Sequence, residues 1–287
     1  MGVEARDVRV LVLTGYGLNC EAETAAGFSR AGATVVSTHL HDMLDRADER
    51  DIISGHHILA FVGGFSFGDH IQSGRVYANR LRFRLGDALC RFVDDGGLAL
   101  GICNGFQTLV CLGLLPALGR TKGTSLAPQS AALVHNDRLG YFDTWVKLLV
   151  DAQSPCVWTR GLPQTIELPS RHGEGKLLFR DEETRDATLA SHLVPVRYAD
   201  TSNRPTDVWP ANPNGSPGGA AGLCDSTGRI FGLMPHPDAF LDPENHPDWI
   251  RRRDRGVPGF GSSDAGMGQA IFDRGVQAVV EGLAPVP

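Results

Sequence analysis

Leu98-Ala99-Leu100-Gly101-Ile102-Cys103-Asn104-Gly105-Phe106-Gln107 reads as a buried strand that turns sharply into a helix. The apolar run at 98–102 ends in a Gly-x-Cys-x-Gly turn, and a helical pattern opens directly behind it at 104–112. This is the layout of a nucleophile elbow, a strand-to-helix turn that exposes one reactive side chain, here a thiol. Glycines on both sides let the backbone turn without Cβ clashes. A thiol at a helix N-terminus also meets unpaired N–H groups and the positive end of the macrodipole, which favour the thiolate.

Working outward, strand and helix signals alternate through the first half of the chain. Apolar, β-branched runs at 8–13, 34–39 and 58–62 predict strands; helical spacing at 21–30 and 77–95 predicts helices. Such alternation predicts an α/β fold with an open, mostly parallel sheet flanked by helices. In these sheets, sites gather beyond the carboxyl ends of the strands. The second half changes character. Shorter strands are expected at 133–134, 142–150, 165–168, 177–179 and 194–198, some of them antiparallel. A loop rich in Pro, Asn and Gly follows at 200–219. The runs 220–224 and 229–233, joined by Asp225-Ser226-Thr227-Gly228, predict a hairpin, and 268–281 a final helix. With no internal repeat and no convincing linker, one domain over 1–287 is expected.

The bulk composition narrows the function classes. The chain has 287 residues, 42% of them hydrophobic and 21% charged, which suits a globular protein with a sizeable core. A formal charge of -6 supplies no basic field for nucleic acid or anionic membrane. No apolar stretch reaches the roughly 18–20 residues that span a bilayer. The first residues lack a secretory pattern, so the cytoplasm is the expected location. Cys20, Cys90, Cys103, Cys111, Cys156 and Cys224 are scattered without metal-binding spacing. In a chain of this size they read as reduced thiols, with no metal expected.

A nucleophilic cysteine needs a base. Among ten histidines, His236 stands out in Gly232-Leu233-Met234-Pro235-His236-Pro237-Asp238, at the end of an apolar strand between stiffening prolines. Asp238, two residues on, is placed to orient the imidazole as the third member of a triad. A turn histidine is the plain alternative. Gly63-Gly64-Phe65-Ser66-Phe67-Gly68-Asp69 follows the third strand, and its N–H groups are candidates for an oxyanion hole; a tight turn is the plain alternative there. The run Arg251-Arg252-Arg253-Asp254-Arg255 reads as a solvated, salt-bridged segment, although it could also dock an acidic surface.

Together these segments resemble the class I (triad) glutamine amidotransferases. Gly17-Leu18-Asn19-Cys20-Glu21, His172-Gly173-Glu174-Gly175 and Asn212-Pro213-Asn214-Gly215-Ser216 extend the resemblance over most of the chain. Gly63-Gly64-Phe65-Ser66 and His172-Gly173-Glu174-Gly175 make it most similar to the glutaminase subunits of phosphoribosylformylglycinamidine synthases. The resemblance implies that Cys103 attacks the carboxamide of glutamine and that His236 shuttles the proton. It further implies an oxyanion hole from the Gly64 and Phe65 backbone with Asn104, and a glutamine contact from Gln107. His172 and Glu174 are expected to position substrate or to face a partner. Ammonia would pass to a synthetase subunit that carries the ATP and magnesium, this chain needing no cofactor of its own. In some organisms a small third subunit joins.

One departure stands out: the family usually has Glu after Pro-His-Pro, whereas this chain has Asp238. Glu244 and His246 lie close enough in sequence to substitute for it. Cys20 and Cys111 read as structural thiols. Alternative functions are another class I amidotransferase, a γ-glutamyl hydrolase, or an idle subunit that only binds its partner.

Overall fold

The computed structural model describes residues 2–45 and 52–283. Its centre is a six-stranded sheet built from β1 (Arg9–Thr14), β2 (Thr34–His39), β3 (Ile58–Phe61), β4 (Leu98–Ile102), β10 (Gly222–Cys224) and β11 (Ile230–Leu233), in the order β10-β11-β4-β3-β1-β2. All neighbours are parallel except the β10–β11 hairpin at one edge. Every residue of β3, β4 and β11 is buried, as central parallel strands covered on both faces require. The edge strand β2 is largely exposed.

The helices α1 (Glu21–Arg30), α2 (Leu40–Asp45) and α3 (Arg75–Asp94) connect the parallel strands, and α4 (Asn104–Leu112) follows β4. Late in the chain, α7 (Gln269–Val280) returns to pack on α1. There Phe28 meets Phe272 edge-on, with ring centroids 4.9 Å apart. From β1 the chain crosses to β2 on one side, while β3 lies on the other side of β1. That reversal opens a crevice beyond the carboxyl ends of β1 and β3, with the end of β4 next to it.

Two antiparallel sheets elaborate the second half. One pairs β5 (Ala131–His135) with β8 (Glu174–Phe179); the other has the order β7-β6-β9, from β6 (Phe142–Val150), β7 (Thr165–His172) and β9 (Val196–Tyr198). β7 runs four residues beyond its predicted end, straight through Pro169. It is an edge strand of its sheet, where a missing N–H donor is tolerated. The extra residues bring Arg171 and His172 to the central sheet, and Pro169 O accepts from His236 N at 2.7 Å.

Three helices lie beyond the sequence expectation, α2 and two more in the second half. α5 (Glu182–Ala190) buries only Thr184 and Thr188, so no apolar 3.6-residue period marks it. Its cap was the available signal: Asp181 Oδ1 accepts from Thr184 N at 2.8 Å, and Glu182 and Glu183 fill the first turn. α6 (Trp249–Asp254) carries the arginine run, which is paired as a solvated segment should be. Arg251 meets Asp248, Arg252 meets Glu167 at 2.6 Å, and Arg253 lies over the Trp249 ring.

Candidate active site

The elbow forms as the sequence predicts. Cys103 stands between β4 and α4 at φ 51° and ψ −106°, a conformation rare for a non-glycine residue and costing about 1–3 kcal/mol. The surrounding packing holds it there. Cys103 N donates to Leu233 O of β11 at 2.9 Å, and Gln107 N donates to Cys103 O at 3.0 Å. Gly105 lies so close to β3 that a Cβ there would overlap the Phe61 carbonyl oxygen. Only glycine lets α4 start this close to the sheet.

β11 runs parallel to β4, with Leu233 opposite Ile102, so His236 emerges three residues past the pair that sets Cys103 in place. Cys103, His236 and Asp238 are 7%, 3% and 2% exposed. Asp238 Oδ1 lies 3.1 Å from His236 Nδ1, which directs the other ring nitrogen away from the carboxylate. Burial disfavours the imidazolium, but the Asp238 charge and the Cys103 sulfur together hold His236 well above its ordinary value. The alternatives for the third position lie elsewhere. Glu244 is exposed, and His246 packs against the Trp145 ring at a tilt and faces Glu167.

The glycine loop after β3 lies against the loop after β1. Asn19 N donates to Gly63 O at 3.2 Å and Phe65 N to Gly17 O at 2.8 Å. The Phe65 N–H is therefore engaged, which corrects its expected part in an oxyanion hole. Among the described residues, the N–H groups of Gly64 and Asn104 have no backbone acceptor, the latter because it opens α4. Gly64 sits at φ 135°, where its missing side chain also leaves room for Leu18 and Asn19.

A cleft of about 150 Å³ joins these parts, its wall including Gly64, Cys103, Gln107, Arg171, Glu174 and His236. It is smaller than the roughly 300–1,000 Å³ typical of drug-sized ligands, so it suits a small metabolite. Gln107 Nε2 donates to Glu174 O at 2.6 Å, and Glu174 Oε2 accepts from Ser73 N at 3.1 Å. Asp69 Oδ1 accepts from Asn104 Nδ2 at 3.0 Å; burial raises the Asp69 carboxyl against the pull of its hydrogen bonds.

The His172-Gly173-Glu174-Gly175 segment is the junction of β7 and β8. A Cβ on Gly175 would come within 2.5 Å of the His172 ring, so glycine there makes space for the imidazole. Burial, with His236 adding positive charge nearby, pulls His172 down to about 3 and keeps it neutral. Its ring nitrogen Nε2 lies 3.1 Å from Ser170 Oγ.

Cys20, read as structural, lines the same cleft. Its thiol is pushed up by burial, partly offset by contact with the His236 ring, which favours the protonated form. No spacing rule links residue 20 to residue 236. The only available hint was that Cys20 follows the carboxyl end of a parallel strand. Cys111 is buried on α4 as expected.

Residues 7–277 match the family described as CobB/CobQ-like glutamine amidotransferase domain. The chain belongs to this glutamine amidotransferase family. This amidotransferase is 37% identical over 270 residues to a protein of Dehalococcoides mccartyi named phosphoribosylformylglycinamidine synthase subunit PurQ, covering 94% of this chain and 97% of that one. A Methanococcus maripaludis protein of the same name is 38% identical over 249 residues, covering 86% and 87%. The human phosphoribosylformylglycinamidine synthase is 35% identical over 246 residues, 82% of this amidotransferase but 18% of the human chain. In fold it is similar to a chain of the Thermotoga maritima PurLQS structure, with a TM-score of 0.66 at 24% identity over 95% of this chain and 99% of that one. Among the described residues, no helix is long and apolar enough to cross a membrane.

Proposed function

We propose that this chain is a single-domain glutaminase subunit of a phosphoribosylformylglycinamidine synthase. It takes ammonia from glutamine and delivers it to a synthetase partner for the conversion of formylglycinamide ribonucleotide to formylglycinamidine ribonucleotide in purine biosynthesis. The observation that carries this reading is the buried line Cys103, His236, Asp238, on the ends of adjacent parallel strands and open to a small polar cleft. The PurQ relatives, matched over nearly their whole lengths, support the choice of partner and product. ATP and magnesium belong to the partner, and a small third subunit completes the assembly. The six unpaired cysteines suit a reducing cytoplasm.

In this mechanism Cys103 Sγ attacks the carboxamide carbon while His236 takes the thiol proton. The carbonyl electrons move onto oxygen, where the N–H groups of Gly64 and Asn104 receive them. One such donor is worth about 2.7–4 kcal/mol in the transition state. Collapse breaks the C–N bond as His236 passes its proton to the leaving nitrogen, and ammonia departs. Water then adds to the thioester with His236 as base, releasing glutamate and restoring the Cys103 thiol. Asp238 holds the ring orientation throughout. Glu174 and Asp69 face the substrate ammonium, and Arg171 its carboxylate.

The test is Cys103→Ala assayed with the synthetase. Glutamine-dependent synthesis should vanish while ammonia-dependent synthesis persists. Retention of glutamine-dependent synthesis would remove Cys103 from the reaction.

A further inference from the structure

Cys20 Sγ, a His236 ring nitrogen and an Asp238 carboxylate oxygen all lie within 4.8 Å of one another. Cys103 stands beside this group, outside that spacing, with its side chain against the same imidazole. A Cβ placed on Gly63 would fall 2.9 Å from His236 Cε1, 3.2 Å from Cys20 Sγ and 3.6 Å from Cys103 Cβ. The two thiol side chains and one imidazole thus surround a single point, at a position kept open by a glycine. We propose that Cys20, His236 and Cys103 form an inhibitory binding site for a thiophilic divalent cation, with Zn²⁺ the best chemical match.

The donor set decides the class of ion. Two sulfurs and an imidazole suit zinc and are poor ligands for magnesium or calcium, which take oxygen. Zinc–sulfur and zinc–nitrogen bonds of about 2.3 and 2.0–2.1 Å require the Cys20 and Cys103 side chains to rotate inward toward the His236 ring. Asp238 already stands behind Nδ1 at 3.1 Å, the carboxylate–histidine arrangement that fixes a zinc-binding ring and leaves Nε2 for the metal. Asp238 Oδ2 is buried without a hydrogen-bond partner, so the group has unused negative charge facing it. The fourth position opens to the cleft and takes water. Binding releases both thiol protons, and any imidazole proton, to solvent. With its sulfur on zinc and His236 coordinated, Cys103 cannot form a thioester. Glutaminase activity then responds to free zinc.

The site rests on the positions of Cys103 and His236, but its detection does not require that the chain act on glutamine. The metal-free full chain is titrated with Zn²⁺ by calorimetry, and the wild-type zinc complex is examined by X-ray absorption. One zinc per chain with two sulfur scatterers is expected; one sulfur, or no saturable binding, overturns the proposal. Cys20→Ala and Cys20→Ser should each weaken zinc affinity by more than about 100-fold, beyond the 10–100-fold of outer contacts. The thiolate-to-metal absorption of the Co²⁺ complex should fall by about half. Wild-type zinc affinity in a folded Cys20 variant would overturn it. Zinc binding without loss of glutaminase activity would refute the inhibitory role, whereas zinc binding with no glutaminase activity at all would fault the functional reading instead.

Discussion

Replacing Asp238 with Asn removes a charge while keeping an oxygen that can accept from His236 Nδ1. Both side chains are buried and 3.1 Å apart. With an effective dielectric near 20, unit charges at that distance attract by about 5 kcal/mol. The imidazolium that forms as Cys103 gives up its proton would lose most of that support. A barrier raised by about 4–5.5 kcal/mol corresponds to a rate loss of about 10³–10⁴-fold, similar to the effect of the equivalent change in a serine protease. The assay is glutamate formation by the complex with its synthetase, using ammonia-dependent synthesis as the control for docking. His236 should also titrate at lower pH in the variant by NMR, because the charge that raises it is gone. Activity within about threefold of wild type, with His236 titrating unchanged, would refute the triad geometry.

Glu174→Gln removes a carboxylate from the cleft and should raise KM for glutamine by about 10- to 150-fold with a smaller change in kcat, the value of 1.5–3 kcal/mol for a hydrogen bond to a charged group; an unchanged KM would place Glu174 outside the substrate's reach. His172 lies near 3 when folded against an ordinary 6.5, so the unfolded chain takes up its proton first as pH falls. Its stabilising contribution is whole above pH 6.5 and shrinks below it, by about 2 kcal/mol at pH 5. His236 is raised in the folded state, so its own stabilising contribution is lost as pH rises, on the opposite side of that range. Urea titrations should show a smaller acid loss in His172→Gln than in wild type; equal losses would contradict this. Gly105→Ala should destabilise the fold by about 1–3 kcal/mol or more, measured as a lower denaturation midpoint, because its Cβ overlaps the Phe61 carbonyl.

Reading the chain alone succeeded where local rules decide structure. β4 and α4 are visible because a fully buried strand is an apolar run and an elbow needs its glycines, and both elements have the predicted bounds. The His236–Asp238 pairing is local too, as two residues on one stiff strand end. α5 leaves no apolar period because it buries threonines, and Pro169 weighs against extending β7 until its edge position is known.

The sequence by itself determined the parallel α/β frame, the thiol on its turn, and a histidine and carboxylate two residues apart on one strand end, since each follows from short-range periodicity, turn chemistry or spacing. Tertiary structure alone decided that, among the described residues, the Gly64 N–H has no backbone acceptor while that of Phe65 is engaged. It also decided that His172 is buried and neutral, and that Cys20 meets His236 from the far end of the chain. Those outcomes depend on which loops converge at the crevice between β1 and β3. That convergence follows from strand order, a long-range property that no local pattern along the chain records.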